Sequence, residues 1–268
     1  MGVKLFVTDL DGTLLPGGKT VSPENIRAVR EAVRAGVTVT IATGRMYRAA
    51  LPVAETLGVE VPIITYNGAL IRSTSGRVYY RSDIQPGTVR RVVEFCRMRG
   101  WHVQTYSRDE LYFAEYDDYA RAYERDQQIR GHVVGWDGLM EHTEEVSKLL
   151  SITDGAEQTE ARLHELREAF GREVSPVRSK ANYAEIINPG VSKADGIRRL
   201  AETLGIAVAD TMAIGDAEND LPMLKAAGRS VAMGNAVPEV REACDYVTSE
   251  CEQNGFAAAV YRYVLGRE

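Results

Sequence analysis

The pattern that most limits how this chain can fold is an alternation of strand and helix that begins at once, breaks off near residue 70 and resumes at residue 188. Leu5-Phe6-Val7 is a short apolar run that reads as a buried strand, and Asp9 and Asp11 follow at its carboxyl end. Ser22 then caps a helix with Pro23 at its first position, Ile26, Val29 and Val33 on one face, and Gly36 as its stop. Val37 to Ala42 is the next strand, ending at Thr43-Gly44-Arg45; a helical stretch leads to Gly58, and Ile63-Ile64-Thr65 forms a third strand before Asn67-Gly68. Strands and helices alternating at this spacing predict a parallel sheet with right-handed crossovers.

From Ala69 the pattern changes. Ala69 to Ile71 and Arg77 to Tyr80 read as a hairpin, and Pro86 opens a helix with Val89, Val92, Val93 and Cys96 on one face. Strands are expected near 101–106, 111–114, 148–152, 174–177 and 183–187, with a Tyr-rich polar stretch (Tyr116, Tyr119, Tyr123) and one helix ending at Gly171 among them. Adjacent short strands without strict alternation predict an α+β unit with an antiparallel sheet, placed at residues 83–187. At Asn188-Pro189-Gly190 the first pattern returns: a helix from Ser192 to Gly205, a strand over 211–214 ending in Gly215-Asp216, a helix over 221–227, and a strand over 231–233 before Gly234-Asn235. The expected organisation is α/β, with a parallel-sheet core from residues 1–82 and 188–268 and a second domain inserted between them.

Length and composition fit this. A chain of 268 residues, 44% hydrophobic and 26% charged, can bury a sizeable core. A net charge of −6 argues against nucleic acid or an anionic membrane as the main partner, although one local group of cations or a metal can still bind a phosphate. No apolar run approaches bilayer length, and no basic segment followed by a long apolar one opens the chain. Cys96, Cys244 and Cys251 are an odd set without C-x-x-C spacing, which predicts reduced thiols and a cytoplasmic protein.

Four features fall at or just beyond the ends of expected core strands: Asp9 with Asp11, Thr43-Gly44-Arg45, Lys193 at a helix start, and Asp216 with Asn219 and Asp220. In an open α/β sheet that edge is where ligands bind. Together they would supply hard oxygen ligands, a cation, a hydroxyl and free backbone N–H groups. No histidine or cysteine joins the set, so Mg²⁺ rather than Zn²⁺ is the expected cofactor, and phosphate is the ligand that uses all of these groups at once. Each feature also has a plainer reading. Lys193 alone is an ordinary lysine at a helix start, residues 216–220 alone an acidic loop with a cap at Asp220, and Thr43-Gly44 a turn. Arg45 alone reads as the start of the next helix ahead of a substrate contact. His102, His132, His142 and His164 lack metal spacing, and the tyrosine stripe reads as packing within the inserted domain rather than as stacking on substrate.

The set as a whole resembles the haloacid dehalogenase superfamily of phosphohydrolases. Asp9-Leu10-Asp11-Gly12-Thr13 is similar to its first motif, Thr43-Gly44-Arg45 to its second, Lys193 to its third and Gly215-Asp216-Ala217-Glu218-Asn219-Asp220 to its fourth. Tyr66-Asn67-Gly68-Ala69 and the run from Glu185 to Lys193 resemble the Cof-type, IIB subgroup. The resemblance implies a Rossmann-like core with an inserted C2-type cap, and hydrolysis of a small phosphomonoester through an aspartyl-phosphate. It implies that Asp9 is the nucleophile and Asp11 the acid and base. Thr43, Gly12, Thr13, Gly44, Arg45 and Asn67 would face the phosphate or substrate, and Lys193 would neutralise charge. Mg²⁺ would be held by Asp9, the Asp11 backbone carbonyl and Asp216, with Asn219 and Asp220 interchangeable around it. A cap of about 100 residues suits sugar phosphates or phosphorylated cofactor intermediates. A phosphosugar mutase and a non-catalytic phosphometabolite-binding protein are the competing readings, and monomer and dimer both stay open.

Overall fold

In the computed structural model, which describes residues 2–18 and 20–267, the strand Leu5–Thr8 is buried at all four positions. It pairs in parallel with Thr38–Ile41 on one side and Thr211–Gly215 on the other. Arg229–Ala232 and then Tyr246–Val247 extend the sheet beyond Thr211–Gly215, again in parallel. The first strand is therefore flanked by one neighbour from each end of the chain. That is the point where the strand order reverses and a crevice opens beyond the carboxyl ends.

The chain divides into two compact units. One spans Met1–Arg45, Ala50–Tyr80 and Ser192–Glu268; the other spans Met46–Ala49 and Arg81–Val191. The second unit holds a six-stranded sheet in the order Ser175–Lys180, Tyr183–Ile187, Val146–Ile152, Gln104–Ser107, Glu110–Phe113, His132–Val133. Its pairs are antiparallel except the last. Helix Pro86–Met98 buries Val89, Val92, Val93 and Cys96 in a cluster with Leu149, Leu166 and Ile186.

Several local expectations change. Ile63–Thr65 meets the parallel sheet through a single bridge, Ile64 to Ala42. Its main partner is Leu70–Arg72, in a separate three-stranded sheet completed by Val78–Arg81. In helix Pro23–Arg34 the buried face is Asn25, Ala28, Val29 and Ala32, while Val33 is exposed. Asn25 goes inside because its amide is used twice: Nδ2 donates to the Leu14 carbonyl at 3.1 Å, and Oδ1 accepts from the Ala257 N–H at 3.2 Å. The Tyr-rich stretch forms a helix, Asp118–Gln127, whose N-cap Asp117 accepts from Ala120 N–H at 2.7 Å. Its polar residues give no apolar stripe to read. Only Tyr123 of the three tyrosines is buried, against the rings of Tyr106 and Tyr183. No helix among the described residues is long and apolar enough to cross a membrane.

Candidate active site

Asp9 is the first residue past the central strand, and its N–H donates to the Ile214 carbonyl at 3.1 Å, so its backbone is still held by the neighbouring strand. Lys193 opens helix Lys193–Leu204, whose N-cap Ser192 accepts from the Asp195 N–H at 3.2 Å. The helix packs closely because Gly196 has no Cβ; one would lie 2.5 Å from Ile64 Cγ2. The Lys193 side chain is wholly inside, and Nζ donates to Asp9 Oδ1 at 2.5 Å and to Asp220 Oδ1 at 2.6 Å. The other oxygen of Asp220 accepts from the N–H groups of Asp216 and Ala217, each at 3.0 Å. Thr13 Oγ1 donates to Asp216 Oδ1 at 2.6 Å. Gly12 has φ +81°, and a Cβ there would sit 2.5 Å from Asp216 Oδ2, so conformation and space both require glycine.

The charges in this cluster do not balance. Asp9, Asp216 and Asp220 each offer an oxygen within 4.8 Å of the others, and Lys193 is the ammonium between two of them. Burial, and then repulsion from Asp220, lift the Asp9 carboxyl well above its usual range despite the attraction of Lys193. Burial and Asp220 raise Asp216 to about 7, against the opposing pull of Thr13 and Lys193. For Lys193, burial favours the neutral amine, but Asp220 and Asp9 outweigh it and raise its pKa, so it stays charged. An all-carboxylate set with surplus negative charge and no nitrogen or sulfur ligand fits a hard divalent cation such as Mg²⁺.

Two further groups lie in the same unit. Arg45 grips the Asp11 carboxylate with two bonds, Nε to Oδ2 at 2.9 Å and Nη2 to Oδ1 at 2.7 Å, and Nη2 also reaches the Gly18 carbonyl at 2.7 Å. Thr43 is buried; its N–H donates to Ile64 O at 2.9 Å and its hydroxyl accepts from Arg45 N–H at 3.1 Å. Asn67 adopts φ +56°, donates its N–H to Thr43 O at 2.9 Å, and accepts from Asn219 Nδ2 at 3.1 Å through Oδ1. Gly44 lies against that amide: a Cβ would be 3.0 Å from Asn67 Oδ1.

The residues singled out from the sequence thus form three connected sets: Asp9, Thr13, Lys193, Asp216 and Asp220, with Gly12 against Asp216; Asp11 with Arg45; and Thr43, Gly44, Asn67 and Asn219. Two differences stand out. The Thr13 hydroxyl, expected to face phosphate, is bound to Asp216. Arg45, open between substrate and helix start, is engaged with Asp11. Asn235 and Cys251 were not singled out as site residues, yet Asn235 Nδ2 donates to Gly12 O at 2.9 Å and Cys251 Sγ donates to Thr13 O at 3.1 Å. The turn Gly234-Asn235 after a core strand was the available signal.

Residues 6–260 match the family model of the haloacid dehalogenase-like hydrolases. A 5-amino-6-(5-phospho-D-ribitylamino)uracil phosphatase of Bacillus subtilis is 30% identical over 263 residues, 98% of this chain and 96% of that protein. A haloacid dehalogenase-like hydrolase from Bacteroides thetaiotaomicron superposes with a TM-score of 0.88 at 29% identity, over 97% of this chain and 99% of the other. A HAD subclass IIB sugar phosphatase superposes at 0.86 with 25% identity, over 97% and 98%. The strand-end acids, the buried lysine and the full-length match agree: the chain belongs to the haloacid dehalogenase-like hydrolases, as a phosphatase of the Cof-type, IIB branch.

Proposed function

We propose that this protein hydrolyses small phosphomonoesters by forming and breaking a phosphoryl bond on Asp9. The observation that carries the reading is the Asp9 carboxylate at the strand end, fixed by a buried ammonium at 2.5 Å beside two more acids. An Asp9 oxygen attacks phosphorus, the bond from phosphorus to the ester oxygen breaks, and that oxygen takes a proton from the Asp11 carboxyl. Asp11 then takes a proton from water, the water oxygen attacks phosphorus, and the Asp9–phosphorus bond breaks to release inorganic phosphate. Arg45 holds both Asp11 oxygens in this arrangement, so its two-point grip must release one of them before Asp11 carries a proton to the ester oxygen or from water. Lys193 offsets charge on Asp9, while Thr43 and the amides near Gly12 and Gly44 face the phosphoryl oxygens.

Mg²⁺ would be held by Asp9, Asp216 and the Asp11 carbonyl. It supplies Lewis-acid polarisation and relieves repulsion between the acids and an anionic substrate. Asp220 acts behind these residues, because both its oxygens already hold Lys193 and two backbone amides. Asn219 acts through Asn67. The inserted unit is the cap that selects the leaving group, and the relatives' ribitylaminouracil and sugar substrates support that class. The free thiols Cys96, Cys244 and Cys251 support a cytoplasmic setting.

Phosphate release from p-nitrophenyl phosphate with Mg²⁺, measured for the wild type and Asp9→Asn, tests the reaction. Activity that survives in the variant overturns it. A panel of sugar phosphates and phosphorylated cofactor intermediates, ranked by kcat/KM, then identifies the leaving group.

A further inference from the structure

We propose that Asn235 is a positioning residue that holds the turn after the nucleophile in its working orientation, a role that rests on the phosphatase reading above. Its side chain makes two opposite bonds at once. Nδ2 donates to the Gly12 carbonyl at 2.9 Å, and Oδ1 accepts from the Cys251 N–H at 2.8 Å. The same C-terminal segment meets the turn twice more: Cys251 Sγ donates to the Thr13 carbonyl at 3.1 Å, and Glu252 Oε1 accepts from the Gly17 N–H at 2.8 Å. Gly234, just before Asn235, in turn donates its N–H to Ser249 O at 3.0 Å and leaves no room for a Cβ, which would lie 2.7 Å from Glu250 N.

The turn needs such an anchor. Gly12 is the residue of the motif with the fewest conformational limits, and its φ of +81° is one of several basins open to it. The peptide plane between Gly12 and Thr13 is held at its N–H only by a long bond to Leu10 O, 3.3 Å, so the bond to its carbonyl is what completes its fixing. A rotation there would carry Thr13 Oγ1 away from Asp216 and break the Thr13 N–H bond to the carbonyl of Leu10, the residue between Asp9 and Asp11. The bonding pattern also explains why the residue is an amide. One end must give a hydrogen to a carbonyl and the other must take one from an N–H, which a carboxylate cannot do. In Asn235→Asp an ionised oxygen would face the Gly12 carbonyl and repel it. Because Asn235 is itself exposed, its replacement opens no cavity.

The test uses the full chain with Mg²⁺ and p-nitrophenyl phosphate. Asn235→Asp is expected to lower kcat roughly tenfold to a hundredfold, the scale set by small misplacements of reacting groups. KM and the inhibition constant of inorganic phosphate should change far less, and the thermal midpoint should stay near that of the wild type. A kcat within about twofold of wild type in a folded variant overturns the role, as does a loss of activity in Asn235→Ala that is matched by loss of folded protein on circular dichroism. Should Asn235→Asp not fold, Asn235→Ala, which deletes both bonds without adding charge, is read in the same way. A wild type that releases no phosphate defeats the phosphatase reading itself, whereas an active wild type with an equally active Asn235→Asp defeats only the role of Asn235.

Discussion

Each unit of the molecule buries a lysine against acid, and the two do so differently. In the second unit Lys148 Nζ lies 3.2 Å from Glu185 Oε1, the side chains 2% and 3% exposed, and Ser179 Oγ donates to the same oxygen at 2.7 Å. The aromatic face of Tyr106 lies 4.9 Å from that ammonium. Here the acid is met by an ammonium and a hydroxyl. In the first unit Lys193 stands among Asp9, Asp220 and Asp216, and the carboxyls of Asp9 and Asp216 are pushed upward by burial and then by the charge of Asp220. A matched buried pair is damaged by losing either member, whereas a cluster with surplus charge is held in a state that a further cation or a reacting group relieves. The comparison separates a pair that supports a sheet from a cluster arranged for chemistry.

The sharpest way to break that distinction is Asp9→Asn. Removing the nucleophile should cost at least about a thousandfold in kcat on p-nitrophenyl phosphate. Removing one of several repelling acids should leave the thermal midpoint in Mg²⁺-free buffer unchanged or higher. A large fall in the midpoint would mean that the cluster is a structural ion pair like the other. Glu185→Gln makes the converse test. It removes the negative charge 3.2 Å from Lys148 Nζ and should cost about 3 kcal/mol of stability by denaturant unfolding. A loss below about 1 kcal/mol would show that the second pair is not structural in this sense.

Metal addition sharpens the same contrast at smaller scale. At a Mg²⁺ concentration of about a hundred times Kd, binding to the folded state should add roughly 2.7 kcal/mol. The upward shift of the thermal midpoint should vanish in Asp216→Ala and persist in Glu185→Gln. A shift that survives in Asp216→Ala would place the cation elsewhere.

Much of the arrangement was legible because it depends on local patterns. Apolar runs such as Leu5 to Val7 and Thr211 to Ile214 mark strands that are buried on both faces, and Ser22, Ser192 and Gly205 mark helix ends through bonds made within one turn. Asp118–Gln127 is not marked as a helix by its apolar residues because its buried face is Ala120, Tyr123, Glu124 and Gln127, two of them polar, which leaves only a weak periodic apolar signal. The three-residue strand at Ile63 keeps its expected parallel neighbour through one bridge, Ile64 to Ala42, but its full ladder is with Leu70–Arg72, because a strand's partner is decided by what packs beside it.

The site divides along the same line. Sequence alone determined which chemical groups the protein has and that they fall at strand ends, since the motif residues are contiguous and the strand pattern fixes the end at which they emerge. It could not say how each group is used. Tertiary structure turned the Thr13 hydroxyl to Asp216, spread Asp220 between Lys193 and two backbone amides, and closed Arg45 on Asp11. It also brought Asn235 to Gly12 across more than two hundred residues of sequence. Those choices belong to the fold because a buried polar atom bonds to whichever partner packing brings within about 3 Å, and nothing in the local pattern names that partner.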